Sequence, residues 1–100
     1  MKKVYISLPI TGREMAAREK ASAIENLLRE LGYEPVNPFR VPAGKNPCYA
    51  DYLCADLRAL ADCDAILLCD GWMESRGCRV ERAFAMEMGV EAKFEDNFFM

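Results

Sequence analysis

Residues Ala65-Ile66-Leu67-Leu68-Cys69 form an unbroken apolar run without the polar alternation of a strand that keeps one face wet. A strand of this kind needs cover on both faces, which parallel sheets in α/β proteins provide through their flanking helices. The rest of the chain supplies those helices. Residues 4–8 read as a first strand, closed by Pro9 and Gly12. Residues 14–31 follow with apolar positions Ala17, Ala21, Ile24, Leu27, Leu28 and Leu31 at helical spacing, and Gly32 supplies the stop. A short strand over 33–36 ends at Asn37-Pro38, and 39–47, which holds Pro42, Gly44, Asn46 and Pro47, reads as a loop forming a lid or rim. A helix over 49–61, the apolar strand over 64–69, a helix over 76–88 and a strand over 91–94 complete the order. Strands and helices therefore alternate. This predicts a single small α/β domain over residues 1–100, with a doubly wound, mainly parallel sheet of four to five strands and right-handed crossovers. Ligands of such sheets sit beyond the carboxyl ends of the strands where strand order reverses, so the loops 8–13 and 70–77 matter most.

Composition narrows the partner. At 100 residues and 52% hydrophobic content the chain can build one modest core. Lys+Arg number 13 against 16 Asp+Glu, a net charge of -3, so no basic footprint points to nucleic acid or to an acidic membrane surface. A small-molecule partner fits better. No apolar run is long enough to span a bilayer and the start is too short and strand-like for a signal peptide, which points to the cytoplasm. Histidine is absent, which excludes Ser-His-Asp or Cys-His catalysis and His-rich metal sites. Acid and base work then falls to carboxylates, thiols or tyrosine, and neither a metal nor a cofactor is implied. The five cysteines, Cys48, Cys54, Cys63, Cys69 and Cys78, are odd in number and contain no C-x-x-C pair. They read as reduced thiols, mostly packed as small hydrophobes, with Cys78, beside a helix start, the one whose pKa could be depressed.

Two acids interrupt inward helix faces. Glu81 shares a stripe with Phe84, Ala85 and Met88, and Asp56 shares one with Leu53, Leu57 and Leu60. An ionised carboxylate on a buried stripe is costly unless something pairs with it. Glu81 could instead reach solvent or pair with Arg79 or Arg82, and Asp56 could lie at the edge of its face. Asp64, in a turn before a strand, is explained by capping. Tyr5 lies near the carboxyl end of the first strand, where its phenol could meet a ligand. Thr11-Gly12 and Ser75-Arg76-Gly77 offer hydroxyl and backbone N–H donors beside helix starts, suited to an anion or a hydroxyl or simply to capping. Trp72 could stack on a base or cover the sheet edge.

Taken together, Tyr5-Ile6-Ser7-Leu8-Pro9-Ile10-Thr11-Gly12, Ala55-Asp56-Leu57-Arg58-Ala59-Leu60, Cys63-Asp64-Ala65-Ile66-Leu67-Leu68 and the segment from Gly71-Trp72-Met73-Glu74-Ser75 to Glu81 resemble the nucleoside 2-deoxyribosyltransferase-like superfamily. Within it the chain looks like a group of short bacterial and phage domains that are also similar to deoxynucleoside-monophosphate N-glycosidases. The resemblance implies a flavodoxin-like sheet and cleavage or transfer at the N-glycosidic bond of 2-deoxynucleosides or their 5′-monophosphates. It implies that Glu81 is the nucleophile, forming a covalent glycosyl-enzyme intermediate, that Asp56 binds the sugar and helps protonate the leaving base, and that Tyr5 stands beside the nucleophile. Ser75 would contact the 5′ side of the sugar, and Ile10, Thr11 and Gly12 would cradle a phosphate; Gly77 and Trp72 complete the expected substrate-binding set. Where that first loop usually has glycine, this chain has Leu8, whose side chain could crowd a ligand.

The chemistry is consistent with two carboxylates, as in retaining glycosidases: one stabilises and traps an oxocarbenium-like sugar, the other protonates the leaving group. Attack requires an ionised Glu81, so Tyr5, the helix dipole or a nearby arginine should hold its pKa low, whereas Asp56 as an acid benefits from a raised one. The alternative is a non-catalytic nucleotide-binding or sensor module of the same fold, or a scaffold with no ligand at all. The apolar tail Phe94, Phe98, Phe99 and Met100 predicts a homo-oligomer, a dimer with the tail in its interface, and Asn97 could serve a neighbouring site.

Overall fold

The computed structural model describes residues 2–99. Its elements are β1 (Lys3–Ser7), α1 (Glu14–Glu30), β2 (Glu34–Val36), α2 (Tyr49–Ala61), β3 (Ala65–Leu68), α3 (Arg76–Met88), β4 (Glu91–Phe94) and α4 (Glu95–Phe98). The four strands are ordered β2-β1-β3-β4 and every pairing is parallel, with Tyr5 opposite both Val36 and Ile66, and Ser7 opposite Leu68. This is the expected doubly wound α/β sheet, consistent with a flavodoxin-like fold. The chain leaves β1 in one direction to reach β2 and returns past it to build β3 and β4, so strand order reverses between β1 and β3.

Strand parity sorts the core into two layers. Val4, Ile6 and Leu8, with Ala65, Leu67 and Cys69, meet Ala17, Ala21, Ile24 and Leu28 of α1 on one face. Tyr5, Ile66 and Leu68 meet Leu60 of α2 and Ala85 of α3 on the other. Ile6, Leu28, Leu60, Ile66 and Leu67 are completely buried, and each such side chain contributes roughly 1.5–3 kcal/mol by leaving water. Both faces of β3 are covered, as its apolar run requires.

Helix ends follow local chemistry. α1 stops in a Schellman motif: Gly32 takes φ +88°, its N–H donates to Arg29 O and that of Tyr33 to Leu28 O. Asp51 accepts from the Cys48 N–H at 2.9 Å, closing a capping box on α2, and Ser75 Oγ accepts from the Cys78 N–H at the start of α3.

Several details differ from the expectations. The segment after Asn37 is not wholly irregular: Pro38–Arg40 is a 3-10 turn, begun by Asn37 Oδ1 accepting from the Phe39 N–H at 2.9 Å. A second such turn covers Trp72–Glu74. Met88 is 51% exposed rather than buried, because it occupies the last turn of α3, where Gly89 at φ +71° turns the chain away; the stripe that packs is Cys78, Glu81 and Ala85. Cys48 and Cys54 are exposed, not packed, while Cys63, Cys69 and Cys78 are buried. The aromatic tail folds onto its own chain: Phe98 stacks against Tyr33 and Phe99, with ring centroids 5.6 and 5.1 Å away, and Phe94 lies 6.0 Å from Trp72. Asn97 is exposed, and Met100 lies outside the described residues. Among the described residues no helix is long and apolar enough to cross a membrane.

Candidate functional site

Residues i and i+2 of a strand share a face, so β1 directs Tyr5 and Ser7 together toward α2 and α3. The buried stripe of α3 brings Glu81 to meet them. The Tyr5 hydroxyl donates to Glu81 Oε2 at 2.7 Å and the Ser7 hydroxyl donates to Oε1 at 2.7 Å. Tyr5, Ser7 and Glu81 are 0%, 1% and 7% exposed. These are short bonds to a charged acceptor, the strong class. Among the described residues no cation pairs with Glu81 or Asp56, so the pairing with Arg79 or Arg82 does not form; Arg79 donates instead to Met73 O. Asp64 also has a structural role, accepting from the Lys3 N–H at 2.8 Å.

Burial governs the titration of the cluster. It pushes the Glu81 carboxyl above its ordinary range, and the Tyr5 and Ser7 hydroxyls oppose this without reversing it. The expectation of a Glu81 pKa held low is therefore overturned: neutral donors stabilise the carboxylate less than burial destabilises it, and among the described residues no arginine pairs with it. Asp56 is raised to about 7, by burial first and the Glu81 charge second, with Tyr5 opposing. That agrees with a proton donor. Burial and the neighbouring carboxylates push the Tyr5 phenol well above its usual value, so it stays a donor. Cys78 is raised, not depressed, because its burial outweighs Ser7 and Ser75 beside it.

A cavity of about 440 Å³ opens over these groups at the carboxyl end of β1, between the loop after β2 and the starts of α2 and α3, within the size range of small-molecule sites. Tyr5, Leu8, Ile10, Thr11, Asp56, Ser75, Gly77 and Glu81 line it, which brings most of the expected residues together. A second hollow adjoins it, sharing Ile10, Thr11, Ser75 and Gly77 and adding Arg13 and Arg76. Gly12, at φ +79°, lines neither of the two; it makes the turn that exposes Thr11. Trp72 is directed elsewhere, into a separate depression beside Phe94, because its 3-10 turn points the indole toward the β4 edge of the sheet. Leu8 is only 5% exposed and packs in the core, contributing to the cavity wall.

Other wall residues were not evident in the sequence. Glu14 and Arg18 come from α1, Pro38, Phe39 and Val41 from the loop after β2, and Tyr49, Tyr52 and Leu53 from α2. The loop does form a rim, and it is braced. Arg40 makes a forked contact with Glu25 at 2.8 and 3.0 Å, and the Arg18 guanidinium lies 4.5 Å from the Phe39 ring centroid. Outside the cavity, Glu95 Oε1 accepts from the Asp70 N–H at 2.7 Å and from Lys20 Nζ at 2.8 Å, fixing the start of the loop that carries Ser75. Ser7 was also overlooked, although its parity with Tyr5 signalled it.

The model of a family described as a domain of unknown function, DUF4406, matches residues 2–94. No curated protein matches the chain by sequence. Among solved structures, a 2-deoxyribosyltransferase from the psychrotolerant bacterium Bacillus psychrosaccharolyticus is similar with a TM-score of 0.67 and 19% identity, over 92% of this chain and 70% of that one. A 2-deoxyribosyltransferase from Leishmania mexicana gives 0.70 and 18%, over 94% and 63%. A CMP N-glycosidase from Clostridium botulinum gives 0.65 and 20%, over 97% and 74%. The chain thus spans between 63% and 74% of the length of these structures. At such identities the likeness is one of fold, and the fold is the one expected from the superfamily resemblance.

Proposed function

We propose that this chain, which belongs to the DUF4406 family, breaks the N-glycosidic bond of 2-deoxynucleosides or their 5′-monophosphates, passing the sugar through Glu81 to water or to a second base. The observation that carries the reading is the buried Glu81 carboxyl, held by the Tyr5 and Ser7 hydroxyls at 2.7 Å, in one cavity with an Asp56 whose pKa is about 7. Departure of a base leaves a cationic sugar. A carboxylate without a cation partner is free to stabilise that charge and then to bond the anomeric carbon. Asp56, part-protonated at neutral pH, can hand its proton to the leaving base and take one back from the incoming water or base, as an acid–base group tuned near the working pH should. The similarly folded structures include transferases and a glycosidase named for CMP, which supports a nucleoside or nucleotide substrate.

Ser75, Thr11, Ile10 and Gly77 would receive the 5′ side of the sugar, and Gly12 would set the turn of the first loop rather than touch the ligand. The homodimer, with the part-buried aromatic tail in its interface, is part of the proposal, and light scattering at micromolar concentration checks it. The deciding experiment incubates the protein with a panel of deoxynucleosides and deoxynucleotides and follows free base by chromatography, with Glu81→Ala alongside. Release by the wild type and none by the variant supports the enzyme. Ligand-dependent thermal stabilisation without release would replace this reading with a nucleotide-binding module.

A further inference from the structure

We propose that Ser7 is a positioning residue for the reaction proposed above, on which this inference rests: it holds Glu81 Oε1 and so makes Oε2 the oxygen that bonds to the sugar. The two carboxylate oxygens are not equivalent. Oε2 is bonded to Tyr5, which lines the cavity together with Asp56, whereas Oε1 is bonded to Ser7, which does not line it and is 1% exposed. A ligand therefore meets the Oε2 side. The titratable groups that bear on the carboxyl are Tyr5 from β1, Asp56 from α2 and Cys78 from α3, while Glu14 and Arg18 of α1 line the same cavity and, among the described residues, no cation pairs with Glu81.

In the first step Oε2 bonds to C1′, the C1′–N bond breaks with its electron pair passing to the base, and Asp56 gives the base a proton. In the second a water oxygen, or the nitrogen of an acceptor base, bonds to C1′. The Oε2–C1′ pair returns to Glu81, and Asp56 takes the proton from the incoming group. Through both steps Oε1 is never bonded to the sugar. It is a carboxylate oxygen, then the carbonyl oxygen of the ester, then a carboxylate oxygen again, and the Ser7 hydroxyl donates to it throughout. A donor already in place needs no reorganisation as the charge moves. Tyr5, by contrast, must loosen its bond as Oε2 commits its electron pair to carbon.

The test is a carbon-13 titration of the Glu81 carboxyl by NMR in wild type and Ser7→Ala, with steady-state kinetics beside it. Removing a hydrogen bond to a buried charge should move the Glu81 midpoint up by about one to two pH units. The acid limb of the rate profile should move with it, and kcat should fall about ten- to a hundredfold while KM changes little. An unmoved midpoint in a folded Ser7→Ala overturns the proposal; should that variant not fold, Ser7→Cys, a weaker donor, carries the same measurement with a smaller shift of the same sign. A crystal structure of the wild type with a 2′-fluoro nucleoside, whose fluorine beside C1′ slows release of the trapped sugar, locates the ester: through the oxygen facing Tyr5 supports the assignment, through the Ser7-bonded oxygen overturns it. Failure of the wild type to release base from any substrate overturns the glycosidic reading instead, while the titration still decides whether Ser7 controls Glu81.

Discussion

Among the described residues two glutamates are buried, and they are held in opposite ways. Glu25 is 2% exposed and Glu81 is 7% exposed. Glu25 receives the fork of Arg40, with Arg29 3.6 Å away, and the Arg40 hydrogen bonds hold its carboxyl below the ordinary range. Glu81 has only two neutral hydroxyls, and burial holds it above that range. A carboxylate neutralised by a cation has its charge committed to the fold, where Glu25 ties α1 to the turn that carries Phe39. A carboxylate kept by neutral donors retains a charge that can answer a positive centre brought to it. The contrast teaches that burial alone does not mark a reactive acid; the chemistry of its partners does.

The largest effect expected from breaking this contrast is at Glu81. Glu81→Gln should keep the fold and lower base release by at least about a thousandfold, read by chromatography, while leaving the melting temperature equal or higher because a costly buried acid is gone. Asp56→Asn should follow with about a 10²- to 10⁴-fold loss of kcat, and the fall in rate of the wild type as pH rises through about 7 should be absent from what activity remains.

At Glu25 the outcome should be reversed. Arg40→Ala should lower the melting temperature by roughly 5 °C with a smaller effect on kcat, because Arg40 is exposed and braces the rim without touching the cluster. The two acids also separate along the pH axis. Glu25, with a depressed folded pKa, contributes stability that is present above its unfolded pKa and lost as pH falls through the folded one. Asp56, raised to about 7, contributes stability that is complete below its unfolded pKa and lost as pH rises through about 7. Denaturant melts between pH 5 and 8 should show this decline in the wild type and a flatter profile in Asp56→Asn. Trp72→Phe should have the smallest effect, leaving KM within about twofold, since the indole packs beside Phe94 and not in the cavity.

Much of this was legible in the sequence because it depends on periodicity. The apolar run of β3 required cover on both faces, and the spacing of α3 placed Glu81 inward; both hold. Tyr5, Asp56, Ser75, Ile10, Thr11 and Gly77 converge because topology brings strand ends and helix starts together. Trp72 lies outside the cavity and covers the sheet edge beside Phe94, the other of its two readings, because a 3-10 turn, not a helical or strand repeat, sets its direction. The walls from Phe39, Tyr49 and Arg18 escaped because a rim is made by long-range packing that no local spacing encodes. The sign of the Glu81 shift was missed because it depends on a difference between burial and two hydrogen bonds, one of them from a serine whose significance lies in sharing a strand face with Tyr5.

That parity ties the cluster to sheet assembly. Were β1 to pair one residue out of register, Val4 and Ile6 would replace the two hydroxyls opposite α3, and Glu81 would be sealed against methyl groups with no donor. Misaligned copies would thus pay for the error in stability as well as in chemistry, and the carboxyl acts as a proofreader of the strand beneath it.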